Sequence, residues 1–130
     1  VNLILVVEDE PDMAATYERV LRRAGYRVVT AASRAEGMRL LERLRPRLVI
    51  SDLRLPDGDG LDIIRAARAL DPAPPVVAVT AYVLRDTRQA VLASGAEAFL
   101  AMPFGIAELS RLVDALMMHR HREVSRRAHS

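Results

Sequence analysis

The sequence predicts an α/β protein, a single domain in which strands and helices alternate as (βα)₅ to build a doubly wound parallel sheet. Short apolar runs rich in β-branched residues, such as Leu3–Val7, Leu48–Asp52 and Val76–Thr80, are bounded by turn signals and read as fully buried strands. Segments with apolar residues at three- and four-residue steps fall between them, which is the pattern of a parallel sheet flanked by helices. Two of the runs also stop abruptly in acids: Val6-Val7 runs into Glu8-Asp9, and Val49-Ile50 into Ser51-Asp52. The C-terminal ends of such strands form the rim at which open α/β sheets hold their ligands.

Each element has its own justification. After Leu3–Val7, Pro11 sits at a first helical position behind Glu10, and Met13, Tyr17, Val20, Leu21 and Ala24 keep helical spacing until Gly25 ends the helix. Arg27–Ala31 is the second strand. Ser33-Arg34-Ala35-Glu36 is a capping box that opens a helix through Met38, Leu40, Leu41 and Leu44, with Pro46 beyond it. Leu48–Asp52 is the third strand. Pro56-Asp57-Gly58-Asp59-Gly60 is a turn in which Asp57 and Asp59 are expected to stabilise the local backbone. A helix is expected over 61–70, broken by Asp71-Pro72-Ala73-Pro74-Pro75. Val76–Thr80 is the fourth strand, Arg85–Ser94 a helix stopped by Gly95, and Ala98–Met102 a short fifth strand. Ile106, Leu109, Leu112, Val113, Leu116 and Met117 form the stripe of the last helix. Apolar periodicity ends at Met118, so residues 1–118 are read as the domain and 119–130 as a basic tail or linker.

Composition narrows the function. The 130 residues suit one domain, and a hydrophobic fraction of 51% with 28% charged residues describes an ordinary globular chain. There is no cysteine, which excludes disulfides, thiolate metal sites and cysteine nucleophiles. No apolar stretch approaches the roughly 18 residues of a membrane span, and the first apolar run is too short for a signal peptide, so a cytoplasmic protein is expected with no membrane partner. The chain opens on Val1 rather than Met, as a processed chain or a piece of a longer one would. All 19 basic residues are arginine, so no site can use a lysine ammonium. From His119 onward four arginines face one glutamate, a net of +3, which leaves residues 1–118 at −1 out of the total +2. No aromatic residues interleave these arginines, so a linker toward an output domain outside this chain is expected rather than a nucleic-acid surface in this domain. His119 and His121, two apart, fall on different helix faces and do not form a metal pair.

If the first and third strands are neighbours, Glu8, Asp9 and Asp52 converge on one crevice. Carboxylates that close repel unless they share a cation, and an all-oxygen ligand set favours a hard ion such as Mg²⁺. One of the acids is then a candidate nucleophile. Taken singly, these acids also read as helix caps, Thr80 as a strand-end hydroxyl bonded to backbone, and Phe99 as core.

In this order and spacing, Glu8-Asp9, Asp52 with Leu55-Pro56-Asp57-Gly58-Asp59-Gly60, Val79-Thr80-Ala81, Gly95-Ala96 and Pro103-Phe104 resemble the receiver domain of two-component response regulators. The resemblance covers residues 3 to about 118. It implies the CheY-like, flavodoxin-like strand order 2-1-3-4-5. It implies Asp52 as phosphoacceptor, supplied by a histidine kinase or phosphotransfer protein. Glu8, Asp9, Asp52 and the Arg54 backbone carbonyl would hold Mg²⁺. Thr80 would contact the phosphoryl group, and Phe99 would be an aromatic switch following Thr80. Such a chain assists its own phosphoryl transfer and hydrolysis and is not a conventional enzyme. It would signal through the face of the fourth helix, fifth strand and fifth helix to a partner or a second copy, with Arg88, Arg111 and Asp114 as exposed charges there. The side chains of Arg54 and Tyr82 are expected to flank the path of hydrolytic water.

The resemblance departs at Met102, where the family places a lysine, and it implies a cis Met102–Pro103 bond. Methionine offers no cation and no useful donor. The alternative reading is therefore a degenerate (pseudo-)receiver, a phosphorylation-independent interaction module. A Mg²⁺-dependent phosphatase lacks room for a cap domain at this length, and the acidic first strand–helix turn disfavours a flavin or nucleotide phosphate.

Overall fold

The computed structural model describes residues 2–80, 85–102 and 104–129, with side chains excepted at 85–88 and 119–129. Along the chain run β1 (Leu3–Val7), α1 (Pro11–Arg23), β2 (Arg27–Ala31), α2 (Arg34–Leu44), β3 (Leu48–Asp52), β4 (Arg54–Leu55), β5 (Gly58–Asp59), α3 (Leu61–Arg68), β6 (Val76–Thr80), α4 (Arg85–Ala93), β7 (Ala98–Ala101) and α5 (Ile106–His129). The main sheet has the order β2-β1-β3-β6-β7, and all its pairings are parallel. With β4 and β5 set aside as a separate antiparallel ribbon, this is the expected 2-1-3-4-5 arrangement.

Alternation along the strands divides the core in two. Ile4 and Val6 of β1, Leu48 and Ile50 of β3, and Val77 and Val79 of β6 pack with Tyr17 and Leu21 of α1 and Leu109, Val113 and Met117 of α5. Leu5, Val7, Val49, Val76 and Ala78 pack on the opposite face with Leu41 of α2, Ile63, Ile64 and Ala67 of α3, and Val91 of α4. Gly37 lets α2 approach this second face closely: a Cβ there would lie 3.0 Å from Val7 Cγ2.

The helix ends follow from local chemistry. Glu10 caps α1 by accepting from Asp12 N–H at 3.4 Å, and Gly25 leaves the helix at φ 101°. Ser33 Oγ accepts from Glu36 N–H at 3.2 Å, while Glu36 reaches back to Ala32 N–H, one residue earlier than an ordinary capping box. Several expectations are corrected. The turn after Asp52 is a small ribbon pairing Arg54 with Asp59 and Leu55 with Gly58. Asp57 reaches beyond its turn: it accepts from Arg34 N–H at 2.7 Å and Ala35 N–H at 2.9 Å, capping the start of α2. Asp59 does act locally, accepting from Leu61 N–H at 2.9 Å where α3 begins. The α3 helix stops at Arg68, two residues early, and α5 continues to His129, past the end of its apolar stripe. The Met102–Pro103 bond lies outside the described residues. Among the described residues, no helix is long and apolar enough to cross a membrane.

Candidate functional site

Strand register assembles the site. Val7 of β1 pairs with Ser51 of β3, so Glu8 and Asp52 occupy equivalent places one step further along neighbouring strands. Each continues the side of its strand that packs toward α1 and α5: Glu8 follows Ile4 and Val6, and Asp52 follows Leu48 and Ile50. Carboxylate oxygens of Glu8, Asp9 and Asp52 all lie within 4.8 Å of one another. Glu8 is buried, Asp52 half-buried and Asp9 exposed. The expected acid cluster is thus formed, and its spacing and all-oxygen donor set suit one hard divalent ion.

Backbone contacts hold the acids in place. Glu8 N–H donates to Ala31 O at 2.9 Å, and Glu8 Oε1 accepts from Glu10 N–H at 3.2 Å. Asp52 Oδ1 accepts from Arg54 N–H at 3.0 Å, which fixes the start of the ribbon that carries the Arg54 carbonyl. Gly60 closes the loop from below. Its N–H donates to Leu53 O at 2.9 Å, and a Cβ there would collide with the Asp52 carbonyl oxygen and lie 2.8 Å from Leu53 Cα.

The electrostatics are those of crowded carboxylates. Burial pushes Glu8 up to about 7; the Glu10 N–H opposes this, and the charges of Asp52 and Asp9 add to it. Burial also raises Asp52, against the Arg54 N–H and a hydrogen bond from the Glu8 carboxyl, with the Asp9 charge adding further.

Thr80 ends β6, buried and one step beyond the Val79–Asp52 pair. It follows Val76 and Ala78, so its side chain belongs to the α2–α3–α4 face. Phe99 of β7 pairs with Ala78 and packs against that same core. Thr80 and Phe99 are thus diagonal neighbours on one face. Met102 follows β7 directly, half-buried, with its N–H donating to Thr80 O at 2.8 Å.

Some expected positions fall elsewhere. Asp114 is not an exposed charge of the signalling face; it is half-buried and accepts a hydrogen bond from Tyr26 at the α1–β2 turn. Arg111 is exposed as expected. Tyr82 and Pro103 lie outside the described residues, as does the Arg88 side chain. Sequence reasoning missed Tyr17 as anything but core. It is fully buried, stacks on Phe104 with ring centroids 6.4 Å apart, and its hydroxyl has no hydrogen-bond partner. The available signal was a phenol in an apolar helical stripe that begins at the acid pair.

Comparisons with known proteins agree with this geometry. The chain is 39% identical over 117 residues to the transcriptional regulatory protein PrrA of Mycobacterium tuberculosis, covering 90% of this chain and 50% of PrrA. It therefore spans about half the length of that relative. The structure of the receiver domain of sensor histidine kinase PA1611 from Pseudomonas aeruginosa PAO1, which has a magnesium ion coordinated in its active-site cleft, superposes with TM-score 0.80 at 36% identity, covering 89% of this chain and 97% of that one. A CheY-like response regulator receiver domain from Methanospirillum hungatei JF-1 gives TM-score 0.89 at 26% identity, covering 95% and 98%. The family model described as response regulator receiver domain matches residues 4–114, and the chain belongs to that family, the receivers of two-component systems.

Proposed function

We propose that this receiver accepts a phosphoryl group on Asp52 with Mg²⁺ held by Glu8, Asp9, Asp52 and the Arg54 carbonyl. The observation that carries this is the convergence of three carboxylates within 4.8 Å at the sheet rim. An Asp52 oxygen attacks phosphorus, the P–N or P–O bond to the donor breaks, and the leaving group takes a proton from solvent. Bound Mg²⁺ would offset the charge of the phosphoryl oxygens against the acids. Thr80 donates its hydroxyl to a phosphoryl oxygen, and Phe99 follows Thr80 on their shared face. A histidine kinase or phosphotransfer protein is the donor.

The readout surface is the α4–β7–α5 face, where a shallow depression of about 380 Å³ is lined by Leu92, Phe99, Leu112, Glu97 and Glu108. It serves a partner, a second copy or an output domain outside this chain, with residues 119–130 as the basic connection. The phosphorylation-independent alternative rests on Met102, at the place of the family's lysine, and the intact acid cluster speaks against it.

Incubation with Mg²⁺ and acetyl phosphate tests the proposal by a phosphoprotein mobility shift. The expected shift requires Mg²⁺ and vanishes in Asp52→Asn. No shift in the wild-type chain, or a shift that survives Asp52→Asn, overturns the assignment.

A further inference from the structure

Among the described residues, two buried side-chain polar atoms lack a hydrogen-bond partner: Glu8 Oε2 and the Tyr17 hydroxyl. One accepts and the other donates, so they are complementary. Buried polar groups left unpaired are rare, and each asks for an explanation. These two belong to the same side of the sheet. Glu8 extends the Ile4–Val6 side of β1, against which Tyr17 packs. The α1 helix starts at Pro11, immediately after the acid pair, and helical side chains lean toward the N-terminus of their helix. The tyrosine is the long side chain that this lean carries back toward the rim. Burial, and then the charges of Glu8 and Asp52, hold the phenol protonated.

The ring stacks on Phe104, two residues beyond Met102. Met102 continues the Ala98–Leu100 side of β7, which faces this same core. Position 102 thus continues the side of β7 that packs against the core containing Tyr17.

We propose that Tyr17 is a positioning residue of the phosphoacceptor site, its hydroxyl donating through one bridging water to Glu8 Oε2 and so supplying part of what a lysine at position 102 would supply. The phenol keeps its proton throughout and breaks no bond. It orients Glu8 toward the Asp9–Asp52 side of the pocket. This rests on the receiver reading, and the test separates the two.

The test compares the wild-type chain with Tyr17→Phe, which keeps the ring and its stack, by Mg²⁺ calorimetry and by the extent of acetyl-phosphate labelling. Loss of one hydrogen bond to a charged acceptor is expected to weaken Mg²⁺ binding about tenfold. With Met102→Lys already in place, the same substitution should cost about threefold or less, because the two donors serve one pocket. Unchanged Mg²⁺ affinity in Tyr17→Phe, or equal losses in both backgrounds, overturns the proposal. If the wild-type chain binds Mg²⁺ but takes no phosphoryl group, the proposed function fails while the calorimetry still decides the role of Tyr17.

Discussion

Replacing Glu8 by Gln should make the metal-free fold more stable above neutral pH and leave it nearly unchanged near pH 4. Burial and the neighbouring acids raise the Glu8 carboxyl from 4.5 to about 7. The folded state therefore binds more protons than the unfolded chain between those values, and stability falls as pH rises through that window. At 1.36 kcal/mol per pKa unit, the full penalty above pH 7 is roughly 3 kcal/mol. It is absent below about pH 4.5, where Glu8 is protonated in both states. Glutamine keeps the shape, stays neutral and still offers a donor to Asp52, so Glu8→Gln should recover most of that amount at pH 8. Urea denaturation of both proteins at pH 4 and pH 8 in EDTA measures the difference. Mg²⁺ should narrow the gap at pH 8 by stabilising the wild-type acid and not the amide. An equal stability difference at both pH values, or a Glu8→Gln protein less stable at pH 8, would refute the account of the pocket as a buried cluster of like charges.

Gly60→Ala should destabilise the fold by about 1–3 kcal/mol in thermal denaturation, as overpacking does, because the added methyl meets the Asp52 carbonyl. Gly105→Ala, with nothing within 4 Å of the new carbon, is the control for that measurement and should be near neutral. Asp57→Ala should lower the melting temperature at neutral pH by uncapping α2, and the deficit should shrink as pH falls, since the Ala35 and Arg34 N–H groups hold this carboxyl below its usual range. Met102→Lys should raise acetyl-phosphate labelling several-fold, a charge-assisted bond being worth roughly 1.5–3 kcal/mol; unchanged labelling would remove that position from the phosphoryl site.

Periodicity carried most of the architecture. Val76–Thr80 is buried at every residue and was legible as a strand from its β-branched run, and Ser33 and Gly25 marked helix ends by chemistry that acts within a few residues. The acid cluster was legible because strands of like direction bring their C-terminal ends to one rim, and Glu8 and Asp52 needed only adjacency to meet. The remaining features depend on contacts distant in sequence. Asp57 looked like a turn residue because nothing local shows that the first N–H groups of α2, more than 20 residues earlier, lie beside it. Asp114 looked exposed because the Tyr26 hydroxyl that holds it is 88 residues away. The two-residue ribbon is too short for alternation to show. Tyr17 fitted its apolar stripe, and only tertiary burial reveals that its polar tip is unsatisfied.

Side-chain alternation has one further result. Glu8 and Asp52 extend the strand sides that pack toward α1 and α5, whereas Thr80 and Phe99 belong to the side toward α2, α3 and α4. In the proposed function the acids therefore lie on one side of the β-layer and Phe99 on the other, with Thr80 at a strand end between them. On that proposal, a protein that read the aromatic ring would engage it without touching the acids, so the reading surface could be altered by substitution while the reactive centre stayed intact.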